Sequence, residues 1–329
     1  MKRLSVAALM LAAATLVAAP SAFAEKTLRI TLQLPIKHHL GQNLLEFKKE
    51  VEKETGGSLK IEIYPSAQLY KDKEVPQAVS SGAIEMGVAS ITRFAGTIPA
   101  VDIFYVPFMF PTADKVRKAT EPGSPIRGPL DEAILNTGAR PLWWQAFGGA
   151  IILSKNEPIK RPEDMKGKKV RVFGKTLGEF VKAVGGAPVL MSGSKQFLAY
   201  QRGTVDAGMT GLTTIPSRKL YQVMDYVTLT NHADIEFLVL INEKVWQGLS
   251  EKERAVMQKA ARRVEVDLRN KMGELEAEAL EFARGKMKVV ELSPEDLAAW
   301  KKATRSVVDT YIQNAGPLGR QLVEAANNL

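Results

Sequence analysis

Residues 27–34 alternate, with Leu28, Ile30, Leu32 and Leu34 on one face, and the spacing predicts a strand. Leu44, Phe47 and Val51 then recur at helical spacing up to Gly56 and Gly57, where a left-handed cap ends a helix. Leu59, Ile61 and Ile63 alternate again before Pro65. Strand, helix and strand in so short a stretch predict a parallel sheet with a right-handed crossover. A second round follows, with a helix at 75–81, a break at Gly82 and a strand at 86–90. In open α/β sheets ligands gather at the carboxyl ends of strands. That position alone makes Gln33, Ser90 and Thr92 candidates.

Further along, the aromatic stretch 102–110 reads as core, and 141–147 reads as a strand leading to Gly148-Gly149 and a second apolar run, 150–153. Trp143 and Trp144 are adjacent on that strand and so point to opposite faces, one of them at most toward a cleft. From 158 to 206 the pattern is strand, helix, strand, helix, strand, with Arg171 between Val170 and Val172 on the first strand. A strand at 237–241 precedes Ser250-Glu251-Lys252-Glu253, a capping box. From there Val256, Ala260, Val264, Leu268, Met272, Leu275, Ala279 and Phe282 keep a helical stripe to Gly285. That predicts a rod of about 50 Å, able to brace two lobes, with Gly273 as a place for a bend. Ser293-Pro294 starts another helix, serine as cap and proline at its first position.

Composition narrows the picture. The basic Lys2-Arg3, the apolar run 4–19 and Ala22-Phe23-Ala24 form a signal peptide over residues 1–24, with cleavage expected after Ala24. The chain has no cysteine, which excludes disulfides, thiolate metal sites and a cysteine nucleophile. The net charge is +9, but basic and acidic residues interleave, as in 48–54, so a mixed solvated surface is expected rather than a nucleic-acid face.

Searches for chemistry find no nucleophile elbow, Walker loop, dinucleotide-binding turn or His-Glu-x-x-His motif. His38 and His39 are adjacent on a loop, a poor pair of metal ligands, and His232 follows a strand as a structural partner. No catalytic constellation, metal site or cofactor is expected. Arg171 stands apart, because a planar guanidinium on a strand matches a carboxylate with two parallel hydrogen bonds, which lysine cannot do. Position alone leaves open whether that carboxylate belongs to a ligand or to a neighbouring Asp or Glu.

Several ordered motifs settle on a family. Pro162-Glu163-Asp164-Met165-Lys166-Gly167-Lys168-Lys169-Val170-Arg171-Val172, Gly186-Ala187-Pro188, 199–206 and Leu229-Thr230-Asn231-His232 resemble the DctP-type solute-binding proteins of tripartite ATP-independent periplasmic (TRAP) transporters. Thr55-Gly56-Gly57, 64–69, 81–86 and 106–110 match in the same order. The resemblance implies an α/β fold of two lobes with a ligand cleft between them, hinge strands and a long bracing helix. The lobes are expected at 25–147 plus about 236–275, and at 148–235 plus about 276–329. It further implies a periplasmic, monomeric receptor that is not an enzyme and delivers a small organic acid to the membrane subunits of an ion-driven transporter. A sensor subunit or an exported α/β enzyme are the rival readings. Arg171 would pair with the ligand carboxylate, assisted by Thr210, with Gln33, Asp72, Ser90 and Thr92 reading the far end. The chain departs from the pattern where relatives carry a second arginine (Ala150 or Ile151 here), an asparagine (Thr210) and an aromatic (Gly193), and Lys195 replaces a glutamate. These losses predict a roomier, more apolar pocket lined by Trp144, Phe147, Phe173, Met191 and Met209, suited to a monocarboxylate with an apolar or aromatic body.

Overall fold

A parallel core of three strands opens the chain. The computed structural model describes residues 25–329, so the signal-peptide expectation lies outside the described residues. Strand β1 (Lys26–Thr31) leads through α1 (His39–Glu54) to β2 (Leu59–Tyr64), and then through α2 (Val75–Ser81) to β3 (Met86–Ser90). Both β2 and β3 run parallel to β1. Leu44, Phe47 and Val51 lie on the buried face of α1, as their spacing predicts, and Leu40 joins them there. The first strand is shorter than its alternation suggests. Leu32 and Leu34 remain buried, yet the ladder ends at Thr31 because the chain turns at Pro65. There Ser66 and Ala67, both at positive φ, donate their N–H groups to the carbonyls of Leu34 and Leu32. Gln33 is thereby left between two core leucines at the rim of the sheet.

After two short helices, α3 (Ala113–Thr120) and α4 (Arg127–Leu135), comes the strand that joins the two sheets. Strand β4 (Ala139–Ser154) runs unbroken through the glycine pair that the pattern reads as a boundary. A second α/β set follows: β5 (Lys169–Val172), α5 (Lys175–Ala183), β6 (Ala187–Leu190), α6 (Gln196–Gln201), β7 (Ala207–Gly211) and α7 (Thr214–Ser217). Strands β8 (Tyr226–Thr228) and β9 (Asp234–Asn242) complete the crossing. From Ala139 to Gly149, β4 pairs antiparallel with β9, and from Ala150 to Ser154 it pairs with β7, with β8 joining from Ile152. The order is β2-β1-β3-β9-β4-β7-β5-β6, so one strand belongs to both sheets. The register shifts at Gly148, whose φ is +100°. That conformation favours glycine, and a Cβ there would also have to displace the carboxylate end of Glu276.

Beyond α8 (Glu243–Gln247), helix α9 (Glu251–Arg284) starts at the predicted capping box and continues through Gly273 without interruption. A buried hydrogen bond ties it to α1, where Asn43 donates to the Val264 carbonyl at 2.7 Å. At the crossing, Gly149 N–H donates to Glu276 at 2.8 Å. The guanidinium of Arg269 forks Glu236 on β9 at 2.8 and 3.0 Å. The chain ends in β10 (Lys288–Val290), α10 (Pro294–Ala303) and α11 (Ser306–Asn327). Helix α11 packs on both α5 and the 3-10 segment 99–105, where Tyr311 donates to the Ala100 carbonyl at 2.8 Å.

Candidate functional site

Three arginines meet where the two sheets face each other. A cavity lies between the carboxyl ends of β1 and β3 on one side and those of β5 and β7 on the other. Its wall includes Gln33, Asp72, Ser90, Arg93, Arg171, Thr210 and Arg218, with Phe147, Phe173 and Phe237 on the apolar side. Strand β5 is central in its sheet, pairing Arg171 with Val189 on one flank and Gly208 on the other. Arg171 is therefore buried, not exposed as its charge suggests. Its Nη1 donates to the Met209 carbonyl at 2.6 Å, and Nη2 and Nε donate to the Met191 carbonyl at 3.0 and 3.3 Å. The guanidinium carbon sits 5.2 Å from the Phe173 ring centre. Of five N–H groups, two have no protein acceptor, and no carboxylate among the described residues pairs with it.

The other two arginines differ in company. Arg93 forms an ion pair with the fully buried Asp72 at 2.7 Å, and Asp72 also accepts from the Ser192 hydroxyl across the cleft. Arg218 reaches over the cleft in the opposite sense, its Nη2 donating to the main-chain and side-chain carbonyls of Gln33 at 3.2 and 3.3 Å. Burial lowers the pKa of Arg171 to about 10, with Arg93 acting in the same direction against Tyr200 and Asp72. Burial likewise brings Arg218 to about 10, and the like charge of Arg171 adds to it. Both remain cations at neutral pH. With Arg93 neutralised by Asp72, the cavity keeps two guanidinium charges, an arrangement suited to an anion.

Seven of the sequence candidates line this cavity: Gln33, Asp72, Ser90, Phe147, Arg171, Phe173 and Thr210. Four do not. Trp144 is in the core, donating to Asp131 at 2.8 Å under the Arg127 guanidinium, just as Trp143 on the other face donates to Asn43 at 2.9 Å. Met209 precedes cavity-lining Thr210 on β7, so alternation turns its side chain into the core. Met191 is partly buried and packs against the apolar core around Tyr200 and Ile215. Both methionines serve Arg171 through their carbonyls instead. Thr92 lies in a 3-10 turn, whose three residues per turn aim Arg93 into the cleft and Thr92 toward Gly174.

The cavity has a polar wall and an apolar one. About 30 Å³ of the cavity is open to the centre of a water-sized sphere, against on the order of 10–15 Å³ for a single water. Nine of its fifteen lining residues carry polar or charged side chains, and Leu34, Phe147, Phe173, Ile235 and Phe237 form the apolar part. Gly193 creates no space, because Gln33 and Arg218 occupy it: a Cβ there would stand 2.9 Å from Gln33 Oε1 and 3.5 Å from Arg218 Nη2. Ala150 and Ile151, either of which the resemblance would set at a second arginine's place, are both buried in the core. The residues sequence reasoning passed over are Leu34, Arg93, Gln196, Thr214, Arg218, Ile235 and Phe237. The strand-end rule that selects Ser90 reaches Arg93 as well, whereas Arg218, beside Ser217 and Lys219, reads as ordinary basic surface.

Residues 32–314 match the family described as bacterial extracellular solute-binding protein, family 7 (DctP). The chain belongs to the DctP family. One DctP relative, the C4-dicarboxylate-binding periplasmic protein of Rhodobacter capsulatus, is 30% identical over 87% of this chain and 86% of its own. The sialic acid-binding periplasmic protein SiaP of Vibrio cholerae is 28% identical over 92% and 93%. A TRAP periplasmic solute-binding protein from Sulfurospirillum deleyianum, solved with bound succinate, superposes with a TM-score of 0.84 at 26% identity, covering 92% of this chain and 99% of that one. The architecture is thus that of the two-lobed TRAP solute-binding proteins, and DctP proteins are receptors of transporters rather than enzymes.

Proposed function

We propose that this DctP protein captures a small organic acid in the periplasm, with the carboxylate on Arg171, and presents it to the membrane subunits of a TRAP transporter. The observation that carries the reading is a buried guanidinium with two spare N–H groups and no protein carboxylate. A buried cation in that state is costly, and a ligand carboxylate relieves the cost. The relatives named for C4-dicarboxylates and sialic acid, and the neighbour holding succinate, support an acid. Thr210, whose hydroxyl already meets that of Thr214 at 2.9 Å, assists at the carboxylate.

The acid carries one carboxylate and a compact body whose apolar side faces Phe147, Phe173 and Phe237, while Gln33, Asp72 and Ser90 meet a polar group at its far end. The lobes divide at about 147/148 and 235/236, on β4 and β9, and near 275/276 in α9. Entry requires them to part by rotation about these crossings, breaking the Asp72–Ser192 and Gln33–Arg218 contacts. Export through the 1–24 signal would place the receptor in the periplasm.

A thermal-shift panel of short acids (succinate, pyroglutamate, D-erythronate, benzoate) on wild type and Arg171→Ala tests the reading. An acid at a hundred times its Kd stabilises by about 2.7 kcal/mol. The shift should appear in wild type and vanish in the variant; a variant that binds as tightly overturns the assignment.

A further inference from the structure

We infer that Arg218 is a second anion-binding arm of this site and a determinant of which acids it accepts. The inference rests on the proposed carboxylate site at Arg171. The two guanidiniums converge beside Gly193: the Cβ that any other residue would place there stands 3.6 Å from Arg171 Nη2 and 3.5 Å from Arg218 Nη2. Neither has a carboxylate partner among the described residues, whereas Arg93, the third arginine of the cavity, has Asp72.

The environment of Arg218 is that of a donor without its best acceptor. Its Nε is buried with no hydrogen-bond partner. Its Nη2 shares two neutral carbonyl oxygens of Gln33 at distances near the long end for N–H···O bonds. Charge-assisted bonds to a carboxylate are about twice as strong as bonds to neutral acceptors. An anion seated between the two guanidiniums would therefore draw Arg218 away from Gln33 and leave the Gln33 oxygen to accept from a hydroxyl or N–H on the ligand. Arg218 follows α7, next to the strand that supplies Thr210, and Gln33 comes from the opposite lobe. One guanidinium thus answers to the ligand and to the facing lobe at the same point.

In a purely structural role, Arg218 would hold the lobes together through Gln33 and nothing more. The two roles separate in one experiment. Wild type, Arg171→Ala, Arg218→Met and Arg218→Lys are titrated with succinate, pyroglutamate and D-erythronate by calorimetry, and melted with no acid present. The inference expects Arg218→Met to bind at least tenfold more weakly and to melt no lower than wild type, since a buried unpaired charge is removed. Arg218→Lys should recover part of the affinity. If Arg218→Met binds within threefold of wild type while Arg171→Ala has lost binding, the inference fails and the Arg171 site stands. A melting point clearly below wild type without acid assigns Arg218 to lobe support and also overturns it. Undiminished binding by Arg171→Ala, or no binding of any of the three acids to wild type, removes the carboxylate site and this arm with it.

Discussion

Replacing Glu236 with glutamine should weaken the protein far more than one lost surface charge would. Glu236 on β9 is fully buried and receives both arms of the Arg269 guanidinium from α9, at 2.8 and 3.0 Å. Burial by itself would lower the Arg269 pKa, but the attraction and hydrogen bonds of Glu236 more than reverse that and hold it above its ordinary value. Breaking a buried pair by removing one partner costs about 3–5 kcal/mol, because the other charge is stranded. The glutamine oxygen can still accept one bond, and Asp234 and Glu265 also attract Arg269, so the lower end, about 3 kcal/mol, applies here. For a chain of this size that corresponds to about 5 °C in melting temperature. Calorimetric melting of Glu236→Gln, Arg269→Met and the Glu236→Met/Arg269→Met double variant measures it. The double variant should recover to within about 1 kcal/mol of wild type, since apolar replacement of a whole buried pair is often neutral. A single-variant loss below about 1 kcal/mol, or a double variant worse than either single, would refute the reasoning.

Two other perturbations probe the crossing between the lobes. Asp102 accepts from the Thr176 N–H at 3.1 Å and its hydroxyl at 2.9 Å at the start of α5, and burial raises its pKa despite these bonds and Thr92. A raised carboxyl favours the protonated folded state, so its contribution is greatest below about pH 4 and declines as pH rises toward the folded pKa. Asp102→Asn should match wild type in denaturant stability near pH 4 and gain on it above; a gap that shrinks with rising pH contradicts this. Gly148→Ala combines a φ of +100° with a Cβ 2.3 Å from Glu276, which holds the Gly149 N–H. It should cost about 1–3 kcal/mol of stability by denaturation, and an unchanged midpoint would show that the crossing tolerates a side chain.

Much of this architecture was legible in the chain because local signals and tertiary packing agree. The alternation at 59–63, the first part of that at 27–34, the helical face of Leu44, Phe47 and Val51, and the Ser250 capping box each appear in the fold where the pattern puts them. The continuity of β4 across Gly148-Gly149 was not legible, because glycine marks a break in a local pattern, whereas here the partner strand β9 carries the ladder across it. The site was legible in part. Arg171 stood out as a guanidinium between valines on a strand, and strand ends gave Gln33 and Ser90. Arg218 was not legible: its burial depends on the opposite lobe, and a stretch of Ser217-Arg218-Lys219 carries no sign of what will cover it. The space beside Gly193 was illegible for the same reason, since the glycine removes one side chain while Gln33 and Arg218, distant in sequence, stand there.

The central claim is that the Arg171 guanidinium reads the carboxylate of the ligand. Titration of the tightest-binding acid and of its uncharged carboxamide, each against wild type and Arg171→Ala, isolates that contact as a coupling between one protein group and one ligand group. Truncating one partner of a buried charge pair costs about 2–5 kcal/mol, or roughly 30-fold or more in Kd. Wild type should prefer the acid over the amide by at least that factor, and Arg171→Ala should lose most of that preference. A preference for the acid that survives intact in Arg171→Ala would contradict the account.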